Sequence, residues 1–84
     1  MFDYEYLFAM TLHAKLKEKI VGRIYVAVTR EDELYVKVES VSDLTFIHTI
    51  EDFSHKIQNG YSSDYAAYEI VQEYKRRILK TYLK

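Results

Sequence analysis

Residues 23–39 read RIYVAVTREDELYVKVE and contain two runs in which every second side chain is a branched aliphatic one. These aliphatic residues are Ile24, Val26 and Val28 in the first run, and Leu34, Val36 and Val38 in the second. A period of two is typical of a β-strand with one buried face. The charged residues 30–33 leave room only for a tight turn, so we expect the two strands to pair antiparallel as a hairpin.

A third strand is predicted from Leu44 to about Thr49, because this run is rich in β-branched and aromatic residues. It continues the antiparallel meander that the hairpin begins. The residues expected to point into the core are Leu44, Phe46 and either His48 or Ile50. Those expected to point outward, if no bulge intervenes, are Thr45, Ile47 and Thr49.

The segment from Asp3 to about Lys19 is predicted to be a helix with Asp3 as its N-cap. Its main apolar stripe repeats every four residues and consists of Tyr4, Phe8, Leu12, Leu16 and Ile20. A second apolar face consists of Leu7, Met10 and Ala14. We expect one face to meet the sheet and the other to need a partner, which is either the last helix of the chain or a second copy of the protein.

Two more helices are predicted after the strands. Thr49 and Asp52 resemble a capping box at the start of a short helix, which Asn59-Gly60 then ends. Ser62 or Ser63 is expected to cap the final helix. The buried stripe of that helix is expected to consist of Ala67, Val71, Tyr74 and Ile78, with Ile70 and Tyr82 at its margins.

The predicted order is therefore a helix, a three-stranded antiparallel sheet, a short helix and a long C-terminal helix, which is an α+β fold (αβββαα). A chain of 84 residues is about half the length of a typical domain, so we expect a single domain that spans residues 1–84. A hydrophobic content of 49% is too high for intrinsic disorder.

Composition narrows the function classes. The chain has no cysteine, which excludes disulfides, thiolate metal sites and a cysteine nucleophile. No apolar run approaches the roughly 18 residues of a membrane span, and the acidic first residues are unlike a secretory signal. We therefore expect a cytoplasmic protein with no membrane partner. The formal net charge of -1 provides no general attraction to nucleic acid.

Three histidines, His13, His48 and His55, are the candidates for catalysis or metal binding. Asp52 and His55 provide one ligand pair, whereas a metal needs three or four converging ligands. Ser54 and His55 are adjacent, and neighbours on a helix point about 100° apart, which disfavours a Ser–His dyad. We expect no enzymatic activity, metal, cofactor or small-molecule substrate. The alternative is a hydrolase or metal enzyme built on His48, Asp52 and His55.

The last helix is basic near its end. Its candidate phosphate contacts are Lys75, Arg76, Arg77 and Lys80. The helix dipole alone can explain these residues, because it stabilises cations near a helix C-terminus. The alternative interpretation is a nucleic-acid-binding module that uses these side chains to neutralise phosphates.

The candidate protein interface combines two surfaces. Tyr25, Tyr35 and Ile47 are expected to lie side by side on the open face of the sheet, and Leu7 and Met10 lie on the second face of the first helix. Tyrosines are enriched at protein interfaces, although cross-strand packing or base stacking also uses them. We expect a non-enzymatic small binding or accessory protein, whose partner is another protein or a second copy in a homodimer.

Residues 29–36 and the stretch from Phe53 to Ile78 resemble small proteins encoded by phages and prophages of Gram-positive bacteria. The size and the element order are also similar to those of some small phage anti-CRISPR proteins, as is the spacing of Phe53, Asn59-Gly60-Tyr61 and Tyr65. The resemblance implies an inhibitor of a host defence nuclease that imitates DNA with acidic clusters. This chain departs from that pattern because its last helix is basic, and no functional residue is carried over.

Overall fold

The computed structural model describes residues 3–41 and 44–82. The elements in chain order are α1 (Tyr4–Lys19), β1 (Gly22–Val28), β2 (Leu34–Ser40), β3 (Thr45–Ile50), α2 (Phe53–Gln58) and α3 (Ser63–Tyr82). This order confirms the predicted α+β fold. The strands lie in the order β1-β2-β3, so β2 is central and the other two strands form the edges.

The strands pair antiparallel, residue for residue and without a bulge. The rows that face the helices are Ile24-Val38-Phe46, Val26-Val36-His48 and Val28-Leu34-Ile50. Phe46 and Ile50 are buried as predicted, while His48 shares their face and is half-buried. The predicted outward residues of β3 are all exposed: Thr45, Ile47 and Thr49. Leu44 lies just before β3 and is half-buried.

Helix α1 begins as predicted, because the side chain of Asp3 accepts a hydrogen bond from the backbone N–H of Tyr6 at 3.1 Å. The buried side chains on and just after this helix are Phe8, Ala9, Leu12, Leu16 and Ile20. The prediction that Tyr4 belongs to the buried stripe is wrong, since Tyr4 is 67% exposed. A strict repeat of four drifts by about 40° per step around a helix of 3.6 residues per turn, so Tyr4 lies about 80° from Leu12.

Helix α3 packs against both α1 and β3. Its buried residues are Ala66, Ala67, Ile70 and Val71, while Tyr74 and Ile78 are half-buried. The prediction that Ile70 is marginal is wrong, because its side chain has no exposed area. A helix that touches two neighbours buries a wider face than a single stripe. The predicted margin at Tyr82 falls on a side chain outside the described residues.

Helix α2 is capped from the hairpin turn and not by the predicted box. Thr49 is a strand residue paired with Tyr35, and the N-cap residue Asp52 makes no capping hydrogen bond with its side chain. The carboxylate of Asp32 accepts hydrogen bonds from the backbone N–H of Ser54 at 3.0 Å and from its hydroxyl at 2.6 Å. The carbonyl of Asp32 accepts from the backbone N–H of Phe53 at 2.9 Å. The sequence-local pattern therefore missed a cap that comes from 22 positions away.

The end of α2 and the start of α3 follow the predictions. Gly60 has a φ of 90°, and its N–H donates to the carbonyl of Ile57 at 3.0 Å, while the N–H of Tyr61 donates to Lys56 at 2.9 Å. This pair of bonds is a Schellman motif. The hydroxyl of Ser62 accepts from the N–H of Tyr65 at 3.1 Å and caps α3.

Replacement of Asp32 by alanine should lower the free energy of unfolding by about 1–3 kcal/mol, because it removes a part-buried cap. Asp32 also has a φ of 60°, a left-handed conformation that aspartate tolerates better than alanine does. Urea unfolding of the purified variant measures this loss. Glu31 is an exposed acid in the same turn, so E31A is the matched control and should change stability by less than about 0.5 kcal/mol. Equal losses in the two variants would contradict the capping role.

Candidate protein interface

The second apolar face of α1 is exposed. Leu7 is 46% and Met10 is 54% exposed, and Ala14 is exposed as well. We call these three residues the α1 seam. Helix α3 does not cover them, because it packs on the flank of α1 where Lys15 forms an ion pair with Asp64. The prediction that the last helix is the partner of this face is therefore wrong, and the prediction of a second copy stays open.

Strand β1 presents an open edge beside the α1 seam. The carbonyl of Ile24 lies within 2.9 Å of the imidazole Nε2 of His13 and therefore points away from β2. Because backbone groups alternate in direction along a strand, those of Val26 and Val28 also point outward. No described residue forms a hydrogen bond with these outward groups.

The β1 edge lacks the devices that usually protect an edge strand, which include bulges, prolines and lysines. Its pairing with β2 is regular, the chain has no proline, and the only charged residue in the strand is Arg23. Within the described part of the chain, β3 is the better protected edge, because Arg77 of α3 donates a hydrogen bond to the outward carbonyl of Ile47 at 2.9 Å. The two edges of the sheet are therefore unequal.

The α1 seam meets the β1 edge at Met10, in a groove between the helix and the strand. The groove has a volume of about 500 Å³ and is lined by α1 residues that include Tyr6, Met10 and His13 and by β1 residues Val26, Ala27 and Val28. Tyr6 is 62% exposed at the rim. We call the seam, Tyr6 and the β1 edge together the α1–β1 surface. It combines apolar side chains with backbone groups that are ready to pair.

The open sheet face is more polar than predicted. Tyr25, Tyr35 and Ile47 do share this face, but they do not lie side by side, because the register places Lys37 between Tyr25 and Ile47. Tyr35 lies one row away. The ammonium of Lys37 lies 5.8 Å from the centre of the Tyr25 ring and 3.3 Å from a carboxylate oxygen of Glu39. Lys37 thus makes one contact across the strands, with Tyr25, and one along its own strand, with Glu39.

The candidate phosphate contacts do not all line one groove. Arg76 and Arg77 both form ion pairs with Glu73, and the guanidinium of Arg77 also lies 4.8 Å from the centre of the Phe46 ring. The hydrogen bond from Arg76, followed by the nearby positive charges, lowers the pKa of Glu73 and keeps it ionised. Lys80 lines a groove beside β3 together with Arg77, whereas Lys75 lines a different groove on the α1 flank. Phosphate binding stays a prediction.

Two of the three histidines line a second, open groove of about 950 Å³ between β3, α2 and α3. His48 and His55 lie there with Tyr61 and Glu69, whereas Asp52 is absent from the lining. Burial, followed by the charge of Glu69, raises the pKa of Tyr61, so its phenol stays protonated at neutral pH. Among residues 3–41 and 44–82, no three histidine or acidic side chains are grouped so that they could hold a metal ion.

Comparison with known proteins identifies no relative of this chain. No protein-family model, curated protein or solved structure matches the chain. The resemblance to phage proteins therefore stays a prediction. No helix in the part of the chain that the structure describes is both long enough and apolar enough to cross a bilayer.

Sequence reasoning identified the α1 seam from its spacing of three and four, but it missed the β1 edge. The position of a strand in the sheet depends on which strands pair, and alternation alone does not reveal it. The contact between His13 and Ile24 joins residues 11 positions apart in different elements, so no local pattern indicates it.

Because His48 is half-buried, the protein should become less stable as the pH is lowered. Burial is the largest cause that lowers its pKa below the ordinary value of 6.5; Glu69 and Glu73 oppose the shift, and Arg77 assists it. Because the unfolded chain then binds the proton more readily, the free energy of unfolding should decrease as pH falls through 6.5 and level off below the lowered pKa.

The variant H48Q should lose less stability than the wild type between about pH 8 and about pH 5. Denaturant unfolding at the two pH values measures the difference. The matched control is H55Q, which removes an exposed imidazole from the same groove. If H48Q and H55Q lose the same amount of stability between the two pH values, the pH dependence does not arise from His48.

Proposed function

We propose that this chain is a non-enzymatic protein-binding domain whose partner docks on the α1–β1 surface. The observation that carries the proposal is the unprotected β1 edge next to the exposed α1 seam. Exposed edge strands are templates for pairing with another chain, and natural proteins blunt them unless they are used. Apolar side chains grouped beside such an edge mark interaction sites.

The binding mode that fits this surface is strand addition. A partner in extended conformation pairs with the outward backbone groups of Val26 and Val28, which supplies main-chain hydrogen bonds. Its side chains on the helix side then contact Tyr6 and Met10 across the groove. The backbone supplies affinity in this mode, and the apolar groove supplies specificity.

The other surfaces support a partner site less well. On the open sheet face, Lys37 forms an ion pair with Glu39 and lies over the ring of Tyr25. At the basic end of α3, Arg76 and Arg77 are already bound to Glu73. The histidine groove is open to solvent and brings two imidazoles together without Asp52. Among the described residues, the α1–β1 surface combines exposed apolar side chains with the outward backbone groups of Val26 and Val28, which no described residue binds.

Replacement of Met10 by lysine should weaken partner binding at least about tenfold, because it removes a buried apolar contact and forces a charge into the interface. Proteins captured from a lysate of the source cells on the immobilised wild type, M10K and a control are compared by quantitative mass spectrometry. The control is Y68K, since Tyr68 is 65% exposed on α3 outside this surface.

A second variant, V28P, tests strand addition directly. The proline ring removes the outward N–H of residue 28. The β1–β2 hydrogen bonds remain, because proline is tolerated where the N–H of an edge strand faces outward. Specific binding should be lost in both M10K and V28P and retained in Y68K, with all variants showing a cooperative thermal transition. A captured set that is the same for all four proteins would contradict the proposal.

A further inference from the structure

We infer that the occupant of the α1–β1 surface is a second copy of this chain, joined by antiparallel pairing of β1 with β1 around a two-fold axis at Ala27. The inference rests on the proposed function and names its partner. Three observations on the described residues support it: the backbone pattern of β1, the charges along α1, and the position of Met10 relative to Ala27.

The backbone of β1 favours this particular register. With the axis at Ala27, Val26 of each copy lies opposite Val28 of the other, and all outward groups of these residues form hydrogen bonds. An axis at Val26 would instead pair Val28 with Ile24, whose carbonyl is already next to the imidazole of His13. An axis at Val28 would pair Val26 with Arg30, which lies in the turn. With the axis at Ala27, the hydrogen bonds involve only Val26 and Val28, and Ile24 and Arg30 lie opposite each other outside them.

The charges of α1 are complementary in the same antiparallel arrangement. The α1 seam continues at the same spacing to Asp3 at one end of the helix and to Lys17 at the other, and both are exposed. Two antiparallel copies bring Asp3 of one helix opposite Lys17 of the other at both ends. A parallel arrangement would place like charges together. The charges at the two ends of the α1 seam therefore favour antiparallel packing of two α1 helices, which is the orientation that antiparallel β1 pairing requires.

The two symmetry centres lie at the same groove. Residues 3 and 17 are related by a centre at Met10, and the strand pairing is centred on Ala27. Met10 and Ala27 line the same groove. A two-fold axis must pass through the centres of both element pairs, since a two-fold interface applies one patch to itself. One axis through this groove satisfies the helix and the strand together.

The resulting dimer has a continuous six-stranded sheet with the order β3-β2-β1-β1-β2-β3. Its two outer edges are both β3, which Arg77 partly blocks through the carbonyl of Ile47. The open β1 edges and the exposed α1 seams disappear into the interface. Further growth of the sheet is disfavoured, so the assembly stops at two copies.

Introduction of one cysteine at Ala27 tests the register. In a non-hydrogen-bonded antiparallel pair the two Cα atoms are about 4.5 Å apart, which is within the range of a disulfide. The chain has no cysteine of its own, so A27C carries a single thiol. Under mild oxidation, A27C should form a disulfide-linked dimer at least about tenfold faster than an unpaired exposed thiol, because pairing raises the effective concentration.

Two control variants separate register from chance collision. T49C places the thiol on β3, in the same row of the open face and exposed. Y25C places the thiol on β1, but away from the two-fold axis. The two copies of position 25 are then four positions apart along the paired strands, about 13 Å, which is too far for a disulfide. Non-reducing electrophoresis and sedimentation of the unmodified chain over a concentration series are the measurements.

Fast cross-linking of A27C alone, with a dimeric wild type and a monomeric M10K, supports the inference. A monomeric wild type, or equal cross-linking of A27C and T49C, overturns it. If the wild type is monomeric but still captures another protein through Met10, the second copy is wrong and the proposed function stands. If the wild type is monomeric and binding is insensitive to M10K and V28P, both fail.

Discussion

Burial of the central strand governs the arrangement of every other element. Leu34, Val36 and Val38 have no exposed area, and they need helices along the whole width of one sheet face. Helix α3 covers the β3 side and α1 the β1 side. Once α1 is held against α3 and β1 in this way, its far side has nothing left to contact. The exposed α1 seam is a geometric consequence of covering three strands with two long helices.

The two edges of the sheet are treated differently, and the difference lies in the helices. The guanidinium of Arg77 is long enough to reach from α3 to the carbonyl of Ile47, and its contact with the Phe46 ring holds it there. On the β1 side, the shorter imidazole of His13 reaches only Ile24. Arg77 therefore stabilises the β3 edge of the sheet, whereas no described residue binds the outward backbone groups of Val26 and Val28 on β1.

Sequence patterns with a short period predicted most of the fold. Alternation placed the hairpin and the inward residues Phe46 and Ile50, and the glycine at 60 ended α2. What failed depended on contacts between distant segments. The cap on α2 comes from Asp32 and not from Thr49, and Ile70 is buried because α3 touches two elements. The site was half predicted: the α1 seam follows from spacing, whereas the β1 edge follows from strand order, which local sequence does not contain.

The hydrogen bonds from Ser54 to Asp32 have a consequence for how the molecule assembles. A helix of six residues has no stability of its own in water, since its nucleation costs more than so few bonds return. Because the cap lies in the hairpin turn, the pairing of β1 with β2 holds Asp32 where it stabilises the start of α2. The link therefore couples the stability of the short helix to that of the hairpin, across 22 positions of the chain.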